Sequence, residues 1–163
     1  MRSTLSSFQC ILLSQITIEI MNYDVWGSWD SSVGPNAPLN DTCAPAAYQE
    51  GSAVSAVKAW TSAHFPANKL VLGVASYGYS SYVLQSAAIT SNRLAAYPAF
   101  NASRQPSGDK WDGPAGVDQC GNPTTVGGIF DFWGLVDGGF LKRDGTVAND
   151  IKYRYDKCSQ TVS

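Results

Sequence analysis

Two apolar runs with an alanine-rich stretch between them restrict the fold of this chain more than any other feature. The first is Ile16–Trp26 (ITIEIMNYDVW) and the second is Lys69–Tyr79 (KLVLGVASYGY). Strand side chains alternate, so Ile16, Ile18 and Ile20 share one face, and Thr17, Glu19, Met21 and Tyr23 share the other. In the second run Leu70, Leu72 and Val74 oppose Val71, Gly73, Ala75 and Tyr77. Between them, residues 45–65 read as a helix. Pro45 suits a first helical position, Val54, Val57 and Trp60 form one stripe, and Pro66 stops it. The expected product is a strand–helix–strand unit with parallel strands and a right-handed crossover. Parallel α/β folds place their sites at the carboxyl ends of strands, where Tyr23, Asp24 and Tyr77 fall.

At 163 residues the chain is one ordinary domain at most, and long enough to bury a core. The net charge of −2 is spread among mixed signs, which argues against nucleic acid or an anionic membrane surface as partner. No apolar run approaches the length of a membrane-spanning helix. Charged residues make up only 15% while aromatics reach 12%, a balance that suits a neutral polymer as ligand.

The four cysteines, Cys10, Cys43, Cys120 and Cys158, show no metal-binding spacing, and His64 is the single histidine. No zinc site built from these residues is expected. An even count at wide spacing fits disulfides in an oxidising compartment. Three pairings are possible in principle, and Cys120 with Cys158 is the favoured one, since both lie in the loop-rich C-terminal half. Asn40-Asp-Thr42 and Asn101-Ala-Ser103 are glycosylation sequons that fit secretion. Residues 1–15 read as an irregular or weakly signal-like segment.

After Tyr79 the composition shifts toward Ser, Asn, Pro and Gly. A helix is expected near 83–97, a second helix-like spacing covers 128–140, and 151–155 alternates as a strand. Residues 16–79 are therefore assigned to the strand–helix–strand unit, and 80–163 to a smaller α+β unit.

The run MNYDVWGSW, with Met21, Tyr23 and Asp24, resembles the Met-x-Tyr-Asp signature on the sixth barrel strand of glycoside hydrolase family 18, the chitinases. GVASYGYS is similar to the family's seventh strand. The following segment resembles the α+β insertion of fungal members. The fold implied is α/β: a partial (β/α)8 TIM barrel bearing strands six and seven, then an α+β insertion. The Asp-x-x-Asp-x-Asp-x-Glu signature of the fourth strand is missing, and the only glutamates are Glu19 and Glu50. A full barrel needs about 250 residues. The chain thus resembles a C-terminal portion of a chitinase, and Tyr79 stands where the family often carries Arg.

The resemblance implies retaining hydrolysis of β-1,4-linked N-acetylglucosamine polymers, assisted by the substrate's own acetamido group and using no metal or organic cofactor. Tyr23 and Asp24 would be the catalytic pair that holds that group in its attacking pose. Met21, Trp26, Trp29 and Tyr77 would contact sugar. Without the acidic Glu the chain alone is expected to be inactive. The implied partners are chitin or its oligosaccharides and a polypeptide supplying the rest of the barrel, and the implied location is extracellular. A noncatalytic sugar-binding module and a nonfunctional truncated product are the competing readings. Trp60 and Trp133 fall on helical stripes and read as core, and His64 as a partner of a helix C-terminus.

Overall fold

The computed structural model describes residues 16–163. The segment 1–15, with Cys10, lies outside the described residues.

Strand β1 (Ile18–Ile20) leads through a long loop to helix α1 (Ala53–Ser62), and α1 returns the chain to β2 (Leu70–Leu72). β1 and β2 are parallel, with Ile18 opposite Leu70 and Ile20 opposite Leu72. The strand–helix–strand expectation therefore holds, with a shorter helix than residues 45–65. Gly51, at φ 125°, separates α1 from a single 3-10 turn at Ala46–Tyr48. Ser52 then caps α1, accepting from the Ser55 amide (3.1 Å) while its own amide donates to Ser55 Oγ (2.8 Å). Such a cap contributes about 1 kcal/mol. At the far end His64 adopts φ 65° and its amide donates to the Thr61 carbonyl (3.0 Å), closing the helix. Trp60 is not core: it is 42% exposed and packs edge-on against Phe65.

The second apolar run is broken, because Gly73 ends the parallel ladder with its amide on the Ile20 carbonyl (2.8 Å). A Cβ there would stand 2.8 Å from Tyr23 Cε1, so the missing side chain is what admits the Tyr23 ring. The chain resumes as β3 (Tyr77–Tyr79). Next come the single-turn helix α2 (Gln85–Ala88) and the hairpin β4 (Ile89–Thr90) and β5 (Arg93–Leu94). The helix expected over 83–97 fails because Ser91 and Asn92 both take positive φ (50° and 63°), the geometry of a tight hairpin turn. A second hairpin, β6 (Gly116–Val117) and β7 (Pro123–Thr124), precedes β8 (Ile129–Asp131) and helix α3 (Phe132–Asp137). The helix-like spacing of 128–140 thus conceals a strand. β9 (Tyr155–Asp156) and β10 (Thr161–Val162) pair at the end, a shorter strand than the alternation over 151–155 suggests.

β3 pairs antiparallel with β8, placing Tyr77 opposite Asp131 and Tyr79 opposite Ile129. The whole is mixed α/β with five two-stranded sheets and no closed barrel among the described residues. No helix among them is long and apolar enough to cross a membrane.

The disulfide joins Cys43 to Cys158, with Cα atoms 5.8 Å apart, and Cys120 is unpaired and exposed. This corrects the expected Cys120–Cys158 pair. Cys120 sits in the turn between β6 and β7, where Asp118 accepts its amide (2.8 Å). Cys158 instead reaches the loop before α1, its Sγ 3.6 Å from the Asn40 carbonyl.

Candidate active site

Asp24 stands at the end of the first run with φ 55°, a left-handed conformation that Asp and Asn tolerate better than most residues. That turn aims its carboxylate at β3. Tyr77 and Tyr79, two apart on one strand, lie on one face. Both hydroxyls donate to Asp24 Oδ1, at 2.5 and 2.7 Å. The Tyr77 ring meets Tyr23 edge-on with centroids 6.3 Å apart. Among the described residues the Tyr23 hydroxyl has no hydrogen-bond partner, so it is free for a ligand.

Asn36 fixes both halves of this group. Its Oδ1 accepts the Asp24 amide (3.0 Å), its Nδ2 donates to the Tyr77 carbonyl (3.2 Å), and its own carbonyl accepts the Val25 amide (3.2 Å). Sequence reasoning missed Asn36, though a Pro-Asn step in a long loop is a turn signal of the kind that positions side chains. It also missed Tyr79 as an Asp24 partner, having weighed that position only as the place of an absent Arg.

The tyrosines hold their protons firmly. Burial, then the hydrogen bond to Asp24 and its charge, pushes Tyr79 up to about 12 and raises Tyr77 as well. A tyrosine pKa raised by folding adds stability that is complete below pH 10 and lost as pH climbs through about 12. Ultraviolet titration of tyrosinate in Asp24→Asn should show part of the late-ionising absorbance moving down toward pH 10, the ordinary value. A titration curve identical to wild type would refute the coupling.

Beside this group opens a cleft of about 450 Å³ whose walls include Trp26, Trp29, Asn36, Tyr79, Phe100 and Gln105. Asn36 and Tyr79 belong to both, and so join the carboxylate to the cleft. Trp29 is 68% exposed and offers an open ring face. Trp26 does not. Only 6% exposed, it packs against Tyr97 and Tyr48, and a Cβ on Gly34 would overlap its indole. It packs into the wall of the cleft instead of presenting an open ring face. Met21 is 71% exposed and lies outside the cleft lining. Ser32, on the cleft wall, buries a hydroxyl that has no protein partner. Neither Glu19 nor Glu50 lines the cleft. Among the described residues no three His, Cys, Asp or Glu side chains converge as metal ligands do.

The family profile described as Glycosyl hydrolases family 18 matches residues 14–153. A chitinase-like effector of Moniliophthora roreri is 56% identical over 147 residues, covering 88% of this chain and 36% of that protein. A chitinase of Rhizomucor miehei superposes with a TM-score of 0.73 at 32% identity, over 90% of this chain and 38% of that one. A chitinase of Cycas revoluta, crystallised with (GlcNAc)3, gives a TM-score of 0.55 at 20% identity, over 98% of this chain and 35% of that one. The chain thus spans little more than a third of the length of each protein it matches here.

Proposed function

Because this chain belongs to glycoside hydrolase family 18, we propose that it binds β-1,4-linked N-acetylglucosamine chains at the Asp24 cleft and does not hydrolyse them by itself. The observation that carries this reading is the carboxylate of Asp24, gripped by two tyrosine hydroxyls beside an open Trp29 face, at a site with no glutamate. A carboxylate and a free phenol can hold an acetamido N–H and carbonyl at once, and an exposed indole can stack on a pyranose ring. Glycosidic cleavage further needs a proton for the departing oxygen. Asp24 already accepts from both tyrosines, and neither tyrosine gives up its proton readily.

The Rhizomucor and Cycas proteins are chitinases, and the second was crystallised with a chitin oligosaccharide, which supports this ligand class. The Moniliophthora relative's name, chitinase-like effector, fits recognition without turnover. We read β1 and β2 as neighbouring staves of a (β/α)8 barrel. Each has one edge unpaired among the described residues, and Val71, Leu72 and Val74 are exposed, so further parallel strands are the partner these edges would accept. The Cys43–Cys158 disulfide supports an extracellular location.

Calorimetry of the purified chain with (GlcNAc)4 tests the reading, alongside an assay for new reducing ends. Saturable binding with no release of shorter sugars is expected. Release that Asp24→Asn abolishes would overturn the noncatalytic part, and absence of binding would overturn the whole.

A further inference from the structure

A second aromatic cleft lies on the other side of the β3–β8 pair. Tyr77 and Tyr79 face Asp24, so their cross-strand neighbours Asp131 and Ile129 share that face, while Phe130 points the opposite way. Phe130 and Phe140 meet edge-on at 5.6 Å and form the floor of this second space, which Asp109, Lys110, Trp133 and Asp137 complete. Trp111, outside this lining, stands 73% exposed against the lining residue Trp133, with ring centroids 6.2 Å apart and nearly perpendicular. Lys110 lies 4.9 Å over the Trp133 ring and pairs with Asp137 at 3.5 Å. The Trp133 face is therefore occupied, and the Trp111 face is open.

An exposed tryptophan is unremarkable on a fraying loop, but this loop is pinned. Asp109 accepts the Trp111 amide through Oδ1 (2.8 Å) and the Asp131 amide through Oδ2 (2.8 Å). Asp112 accepts the amides of Gly108 (2.7 Å), Gly128 (2.9 Å) and Ile129 (3.1 Å). Burial works against the Asp112 charge, yet these amides prevail and hold its pKa below the usual carboxylate range. Two aspartates thus fasten the loop to β8, so Trp111 is presented without the entropy of ordering it on binding.

We propose that Trp111 is a second saccharide-stacking site, taking one pyranose ring of a β-1,4-linked N-acetylglucosamine chain on its open face, with Lys110 and Asp137 meeting the ring's hydroxyls. The ligand class rests on the function proposed above; the site does not overlap the Asp24 cleft. A flat indole suits the apolar face of a pyranose with equatorial substituents, and the flanking ion pair supplies both donors and acceptors. Two separate contacts on one chain would strengthen retention on a polymer beyond that of either alone.

The indole N–H resonances of the full chain, titrated with (GlcNAc)3 and assigned by Trp→Phe variants, test this directly. The Trp111 resonance should shift saturably, and Asp24→Asn should leave that curve unchanged while weakening the Trp29 shift. Trp111→Ala should lower retention on insoluble chitin at least threefold. A Trp29 shift with a silent Trp111 would sink the second site and leave the cleft reading intact. Silence at both would sink both.

Discussion

Replacing Cys43 or Cys158 with serine should lower the melting temperature by roughly 10–15 °C, whereas Cys120→Ser should leave it within about 2 °C of wild type. The bond closes a separation of 115 residues. In the chain-entropy account a loop near that size contributes about 4–5 kcal/mol. The effect is large because the core is thin. Among the described residues the hydrophobic side chains under a tenth exposed are Ile20, Trp26 and Ala53, and none is fully enclosed. The disulfide also ties the end of the chain to the loop ahead of α1, where Asp41 accepts from Ser52 Oγ (2.7 Å) and from the Gly51 amide (3.0 Å). Thermal melts of the three variants decide the matter. A large loss in Cys120→Ser with little in Cys43→Ser would restore the pairing expected from sequence.

Asp24→Asn should weaken (GlcNAc)4 binding roughly 10- to 100-fold without unfolding the chain. Asparagine tolerates the left-handed backbone at this position nearly as well as aspartate, and its carbonyl can still accept from a tyrosine. What it lacks is the charge. Hydrogen bonds to charged groups contribute about 1.5–3 kcal/mol, which is one to two decades of affinity. Asp24→Ala should lose at least as much binding and also about 1–2 kcal/mol of stability, because alanine is strained at positive φ. Calorimetry with a melt on each variant separates the two effects. Affinity within twofold of wild type in Asp24→Asn would remove this carboxylate from the binding site.

The parallel pair β1 and β2, the helix between them and the convergence of Tyr23, Asp24 and Tyr77 were all legible in the chain, because each rests on local patterning. Alternating isoleucines announce a strand, alanines with a flanking proline announce a helix, and strand direction then puts the tyrosines at one end. The errors share a different origin. The run 69–79 looks continuous, but Gly73 breaks it to make room for Tyr23, a neighbour about fifty residues away. The spacing at 128–140 is helical in part, yet β8 exists because β3 is there to receive it. Trp26 and Trp29 are indistinguishable as loop tryptophans, and only the stacked Tyr48 and Tyr97 mark the first as packing.

Read alone, the chain carried the strand–helix–strand unit in its short-range periodicity, while the motifs MNYDVWGSW and GVASYGYS carried the resemblance to the family and, with it, the missing acidic signature. Long-range packing set the rest: which cysteine meets Cys158, that Asn36 and Tyr79 hold Asp24, and that Trp111 stands on a pinned loop away from the first cleft. Those contacts join residues 12 to 115 positions apart. At such separations the partner is chosen by how the elements pack, and no local pattern encodes it.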